Sequence, residues 1–371
     1  MKHWQYSVSW GGNTESWGEM NTVLITGAGG FIGGWVVREF LAQGWRVLAV
    51  VHRRVPAWLR EEESSGRLRL VVADLGDASQ VAAMMAATAG SERVAAVVHC
   101  AGRASDAGWD REFRRANLDA VRHLGRLAIE TGIPRFVFLS TTDVYGLRDF
   151  RGEDEATLPL AAFPRNPYPR YKIEAERWIR GHMASECYVI LRPAQVWGVG
   201  DTTLTRRIVG FLRWSPWIVH FGNRRGANRW PLAHVRNVAA ACYLAVTETT
   251  ASGQAINVLD DERTTMDEWY RLLAEIYLPG KRFRTINLPM AVGALLGLPV
   301  EWISSALNLT HPMMDPSWYA LHAVSANLDF GNERLRNLFA NAGRRMVTRA
   351  EGLHELICGE PNQGSNGAGF E

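Results

Sequence analysis

The chain has 371 residues, 47% of them hydrophobic, and a formal charge of +3. Such a length and apolar content give a substantial buried core in one large domain or two unequal ones. The near-balanced charge, with no long basic run and no platform of interleaved aromatics, argues against nucleic acid and for a small-molecule partner. The four cysteines, Cys100, Cys187, Cys242 and Cys358, make no C-x-x-C pair or His/Cys ligand cluster, so no metal is expected. They read as buried thiols in a reducing compartment.

Residues 1–20 are polar and Trp-dotted and lack the apolar core of a signal peptide, so they read as a flexible lead on a cytoplasmic protein. From Asn21 to about Leu191, apolar runs alternate with helical patterns. Strands are expected at 23–26, 46–51, 68–73, 94–100, 136–140 and 187–191. Most are continuous apolar runs, as in strands buried on both faces of a parallel sheet. The fold class is therefore α/β, a Rossmann-type doubly wound parallel sheet with its ligand crevice at the C-terminal strand ends. We assign 21–200 to this cofactor-binding unit, with segments around 230–260 able to return to it. A smaller C-terminal substrate-binding domain takes 201–358, and 359–371 is a flexible tail rich in Gly, Asn and Gln.

Between the first strand and the first helix stands Thr26-Gly27-Ala28-Gly29-Gly30-Phe31-Ile32-Gly33. A strict G-x-G-x-x-G fails, since its last position is Ile32, but G-x-x-G-x-x-G fits at Gly27, Gly30 and Gly33. Without Cβ atoms, backbone N–H groups can approach a pyrophosphate, and the helix directs its positive end at the same charge. A tight turn alone is the plainer alternative. The second strand ends Val50-Val51-His52-Arg53-Arg54, where NAD-binding sheets usually place an acid for the ribose hydroxyls. Arginines there suit a 2′-phosphate, so NADP(H) is expected ahead of NAD(H). An ordinary solvated loop is the alternative reading. Asp74, after the third strand, fits either a contact to the adenine ring or a turn.

Tyr168 and Lys172 are four apart and lie on one face of a helix, whereas Tyr171 points elsewhere. Pro167 and Pro169 put Tyr168 at the helix start, whose positive end favours a phenolate. A free phenol titrates near ~10, so Lys172 and a nicotinamide cation are expected to lower it. Tyr168 is then the acid/base.

The glycine turn, Thr141-Thr142-Asp143-Val144-Tyr145-Gly146 and Tyr168-Pro169-Arg170-Tyr171-Lys172 together resemble the extended short-chain dehydrogenase/reductase family over about Thr22 to Ile357. Its signatures are T-G-x-x-G-x-x-G, S/T-x-x-V-Y-G and Y-x-x-x-K. Val98-His99-Cys100-Ala101-Gly102, Asn117 opening a helix, Leu191-Arg192-Pro193 through Gly198, and Pro231-Leu232-Ala233-His234 follow in the family's order. The resemblance implies that Thr141 hydrogen-bonds the substrate oxygen. It implies that Asn117 positions backbone and water for the lysine, with a helix N-cap as the alternative. It adds Phe31, Ile32, Leu75, Ala101, Pro193 and Val196 to the cofactor contacts. His234 is expected to be structural. The family often has a small Ser/Thr just before the lysine, where this chain has Tyr171. Members often pair through a helical face of the sheet, which implies a homodimer.

In the later half, Arg206, Arg207, Arg213, Arg224, Arg225 and Arg229 stand among Trp214, Trp217 and Trp230, as a solvated surface or a handle for an anionic group. Residues 288–300 are apolar but too short to span a bilayer, and Pro289, Pro299 and Glu301 are expected to break them. They read as a core helix or an apolar lid, with membrane-surface contact a distant third. Gly253 to Val258 and this stretch look most like the 3β-hydroxysteroid dehydrogenase branch. The implied activity interconverts a ketone and a secondary alcohol on an apolar, sterol-like or β-keto acid-like substrate. A nucleotide-sugar epimerase, favoured by Val144-Tyr145-Gly146, is the first alternative, and a non-catalytic NADP-binding regulator the second. A 4,6-dehydratase fits least, because Thr141 is followed by Thr142-Asp143 and not by an Asp-Glu pair.

Overall fold

Runs of Val, Leu, Ile and Ala too short for helices pair side by side into the sheet that organises the molecule. A computed structural model describes residues 21–86, 93–105, 108–164, 166–308 and 317–359. The expected lead at 1–20 and the tail beyond Gly359 lie outside them. In chain order the first half comprises β1 (Thr22–Thr26), α1 (Phe31–Ala42), β2 (Arg46–Val51), α2 (Ala57–Glu63), β3 (Leu68–Val72), α3 (Ala78–Ala86) and β4 (Val94–His99). After these come α4 (Asp110–Arg114), α5 (Ala120–Glu130), β5 (Arg135–Leu139), α6 (Pro167–His182) and β6 (Tyr188–Pro193).

The second half runs β7 (Gln195–Trp197), α7 (Leu204–Trp214), β8 (Trp217–Phe221), β9 (Arg229–Trp230), β10 (Leu232–His234), α8 (Val235–Thr247), β11 (Ala255–Val258) and β12 (Thr264–Thr265). It ends with α9 (Met266–Tyr277), β13 (Arg284–Leu288), α10 (Met290–Ala306), α11 (Trp318–Ser325), α12 (Glu333–Asn341) and α13 (Arg349–Cys358).

Among the described residues, seven parallel strands form one sheet in the order β11-β6-β5-β4-β1-β2-β3. The order reverses beside β1, so the crevice that takes ligands in such sheets opens between the ends of β1 and β4. Alternation across the pleat divides the core. Val23 and Ile25 join the layer of α1 and α8, and Leu24 joins that of α5 and α6. β3 is an edge, and its Val72 is 61% exposed. At the other edge β11 is wholly buried, from the 230–260 stretch that could return to the sheet.

Two expectations fail. Cys358, in the last turn of the C-terminal helix, is exposed, and Cys100 and Cys187 are only half-buried; Cys242 alone is a buried thiol among the four. Pro299 does not break its helix, because α10 runs through it to Ala306. Nor is α10 a core helix. Its inward face is Gly293, Gly297 and Ser304, while Leu295 and Trp302 are 76% and 75% exposed. Small residues face inward because α11 lies so close: a Cβ at Gly297 would stand 2.8 Å from the backbone nitrogen of Trp318. Among the described residues no helix is long and apolar enough to cross a membrane.

Candidate active site

The glycine turn closes β1 onto α1. Gly27 has φ of 68°, in the left-handed region, and a Cβ at Gly33 would stand 2.1 Å from the Gly27 carbonyl oxygen. No side chain can enter there, and α1 carries no acid in its first turn. An anion such as a pyrophosphate fits this cradle, held by backbone N–H groups and the positive helix end. Phe31 and Ile32 open α1 directly beyond it. Ala101 lies across the crevice, its N–H donating to Thr26 Oγ1 at 3.2 Å.

Around the cradle are the remaining cofactor candidates. Arg53 and Arg54 are exposed just past β2, and a Cβ at Gly29 would stand 3.2 Å from the Arg54 carbonyl oxygen, so this loop runs along the turn. Asp74, past β3, accepts from Gly76 N–H (2.9 Å) and Arg115 (2.6 Å) and faces His52 at 3.5 Å. Burial opposes its charge, but these partners together hold the carboxyl below its ordinary value. Leu75 is buried beside it. Pro193 ends β6, and Val196 is half-buried in β7.

The candidate catalytic residues gather where β5 meets the start of α6. Asn166 caps that helix by accepting the Tyr168 N–H at 2.7 Å, which sets Tyr168 in the first turn as its prolines imply. Thr141, whose Oγ1 accepts the Asp143 N–H at 3.2 Å, lies beside the Tyr168 side chain and favours its charged form. One turn on, the buried Lys172 donates from Nζ to the Leu139 carbonyl at 2.6 Å and lies 4.6 Å from the centre of the Phe138 ring. Tyr171 does point elsewhere, its hydroxyl donating to Asp110.

Asn117 is corrected. It neither opens a helix nor caps one. It lies inside a π-turn at Arg115–Asp119 that joins α4 to α5, fully buried. Its side chain clamps the loop after β4, accepting the Arg103 N–H and donating to the Arg103 carbonyl, both at 3.1 Å. The wider turn pushes Asn117 out of the regular ladder, as π-bulges at functional sites commonly do. Asn117 Oδ1 and Lys172 Nζ converge on Gly102, where a Cβ would stand 2.8 and 3.3 Å from them.

In the free protein the Tyr168 phenol is raised. Burial, and next the Asp143 carboxylate, push Tyr168 above its ordinary value, and Thr141 only partly opposes them. Burial also disfavours the Lys172 ammonium. Cys100 and Glu176 draw the lysine back only partly, and it titrates at about 8. Deep in the same layer, burial and the neighbouring lysine charge hold His99 neutral down to about 3, with Nδ1 2.8 Å from Thr26 Oγ1.

Three features lay outside the motif reading. Asp143 faces Tyr168 and accepts from the hydroxyl of Tyr319 on α11 at 3.2 Å, a contact between residues 176 apart. Trp109, before α4, donates its N–H to Asn308 after α10 at 2.6 Å. Glu176 and Arg192 form a buried ion pair behind Lys172. Only the last carried a signal, since Glu176 falls two turns after Tyr168 on the same helical face. The arginines from 206 to 229 spread over α7, the turn after β8 and β9, and Arg224 pairs with Asp149. His234 is buried against Trp197, as a structural histidine.

The NAD dependent epimerase/dehydratase family model matches residues 23–258, from β1 to the end of β11. The chain belongs to that family. It is an NAD(P)-dependent oxidoreductase of the extended short-chain dehydrogenase/reductase type. A 3-beta-hydroxysteroid dehydrogenase of Mycolicibacterium neoaurum is 25% identical over 311 residues, covering 80% of this chain and 81% of the relative. A 2-alkyl-3-oxoalkanoate reductase of Stenotrophomonas maltophilia is 27% identical over 343 residues, covering 86% and 99%. Among solved structures, a short-chain dehydrogenase/reductase superfamily protein of Agrobacterium tumefaciens with bound NAD matches with a TM-score of 0.65 at 22% identity, over 91% of this chain and 96% of that one. That likeness concerns the fold.

Proposed function

We propose that the protein interconverts a ketone and a secondary alcohol on a largely apolar substrate, with NADP(H) preferred over NAD(H), using Thr141, Tyr168 and Lys172. The observation that carries this reading is the buried Lys172, tied to the Leu139 carbonyl at 2.6 Å with its Nζ 5.9 Å from the Tyr168 ring centre one helical turn away, beside Thr141. A bound nicotinamide cofactor, its pyrophosphate on the Gly27–Gly33 turn, would supply or accept the hydride. Thr141 holds the substrate oxygen against Tyr168, which gives its proton to that oxygen during reduction and takes it back during oxidation. The Lys172 ammonium stabilises the phenolate left behind. Asn117 holds the loop that walls this space through Arg103.

An apolar ketone is supported by the names of the steroid dehydrogenase and oxoalkanoate reductase relatives. The epimerase remains the alternative reading through Val144-Tyr145-Gly146, whose Tyr145 is buried with its hydroxyl bonded to Asn257 and Arg192, both at 2.7 Å. The NADP(H) preference rests on Arg53 and Arg54, with no acid at the end of β2.

The test is NADPH consumption, followed at the nicotinamide absorbance, with bulky apolar ketones and 2-alkyl-3-oxo acids set against UDP- and dTDP-sugars. Stoichiometric consumption with the ketones is expected. Turnover of a sugar nucleotide without net NADPH use would favour the epimerase. In parallel, NADPH should bind tighter than NADH, and replacing Arg53 and Arg54 together by Ala should erase most of the difference.

A further inference from the structure

Three consecutive residues at the end of β5 engage three side chains spaced one turn apart along α6. Thr141 meets Tyr168, the Leu139 carbonyl accepts from Lys172, and Ser140 donates to Glu176 Oε1 at 2.6 Å. Tyr168, Lys172 and Glu176 fall at four-residue intervals on one face, so this is a register lock between helix and strand. Glu176 is fully buried. Arg192 at the end of β6 grips it with Nε (3.0 Å) and a terminal nitrogen (2.6 Å), its other terminal nitrogen donating to Tyr145. Arg180 adds a bond at 2.9 Å. A bidentate, fully hydrogen-bonded arrangement is the kind in which a buried pair can stand.

We propose that Glu176 is a positioning residue for the proposed Tyr168–Lys172 pair, fixing the height of α6 against β5 and β6 and supplying the negative charge that keeps the Lys172 ammonium in place. The groups facing Lys172 are few. β4 presents His99, held neutral, with the Cys100 thiol just past it, the π-turn presents Asn117 across Gly102, β5 presents the Phe138 ring and the Leu139 carbonyl, and α6 itself presents Tyr168 and Glu176. Glu176 in turn faces Arg192, Arg180 and Ser140. Burial opposes its charge, yet Arg192 above all keeps the carboxyl below its ordinary value, so it is ionised wherever Lys172 titrates.

The chain has three lysines, Lys2, Lys172 and Lys281, so labelling lysine with carbon-13 at the ε position gives three resonances. One of them, Lys172, should titrate at about 8 in the free protein. Glu176→Gln should lower that midpoint by about one pH unit, since it removes the attracting charge and leaves the Arg192 cation nearby. A merely structural role predicts the opposite, because a loosened helix would hydrate Lys172 and raise its midpoint toward the other two lysines.

Removing either partner of this buried pair is destabilising; Arg192→Gln serves as the second variant because Arg180 and Ser140 still hold Glu176 there. It should raise the midpoint by a similar amount while amide exchange shows residues 172–180 still protected. Glu176→Asp, which keeps the charge, should stay close to the parent. An unchanged or raised midpoint in Glu176→Gln, or an unchanged one in Arg192→Gln, overturns the proposal. The reading rests on the Tyr168–Lys172 assignment, but it is made without substrate or cofactor, so its failure is separable from failure of the proposed reaction.

Discussion

Strand β1 and helix α10 are both built almost wholly from apolar residues, and they end in opposite surroundings. All five residues of β1 are buried, because helices cover the sheet on both sides and successive side chains find a core in either direction. Among the described residues α10 packs at close quarters on α11 and on Phe221 of β8, through Gly293 and Gly297, which leaves most of its large side chains facing outward. Apolar content therefore fixed burial only where the chain topology supplied partners on both sides.

The same truncation in the two regions should separate them most widely. Leu24→Ala removes buried methyl groups between β1 and the α5–α6 layer and should cost about 2–5 kcal/mol. Leu295→Ala on α10 should change stability by less than about 0.5 kcal/mol. Urea unfolding midpoints at constant m-value measure both. A loss above about 2 kcal/mol at Leu295 would mean that α10 is packed in solution and would erase the contrast.

Acid sharpens it from the sheet side. His99 is held neutral in the fold, with its pKa lowered from 6.5 to about 3. A depressed histidine stabilises the fold above its unfolded pKa, and that contribution is lost as pH falls from 6.5 toward 3, because the unfolded chain takes up the proton more readily. The loss by about pH 4 should be near 3 kcal/mol. His99→Gln should flatten that part of the stability profile, and an unchanged acid slope would put the sensitivity elsewhere.

Within the site, Tyr168→Phe should lower turnover by at least about a hundredfold with cofactor affinity little changed. Tyr171→Phe, which loses a hydroxyl bonded to Asp110 on the other side of the same helix, should keep most activity. Steady-state kinetics and NADPH titration compare them. If Tyr171→Phe abolished turnover and Tyr168→Phe kept it, the helix register would be wrong.

How far the molecule could be read in advance follows the same division. The glycine turn, the strand runs and the Tyr168–Lys172 spacing depend on a few neighbouring residues and the period of one element, so the sequence carries them openly. Asn117 was visible as a residue but not as part of a π-turn, since that turn exists to meet the Arg103 backbone 14 positions earlier. The two-residue strands β9 and β12 are too short to show any period and are held by pairing with each other. The grip of Arg192 on Glu176 joins a strand to a helix: the helical period places Glu176 on the face of Tyr168, but nothing local names its partner.

The smallest effect tests where the two regions meet. Tyr319 reaches from α11 to Asp143, one hydrogen bond away from the turn that carries Thr141, while its own N–H is held by Glu301 of α10 at 2.7 Å. Tyr319→Phe deletes a single bond at 3.2 Å between partly exposed groups, of the kind that contributes roughly 1 kcal/mol. If the C-terminal helices serve to hold substrate and the sheet half performs the chemistry, KM for the ketone should rise about threefold to fivefold, with kcat and NADPH affinity nearly unchanged. A fall in kcat at constant KM would instead make Tyr319 part of the reacting constellation through Asp143, and the division of labour between the two halves would have to be redrawn.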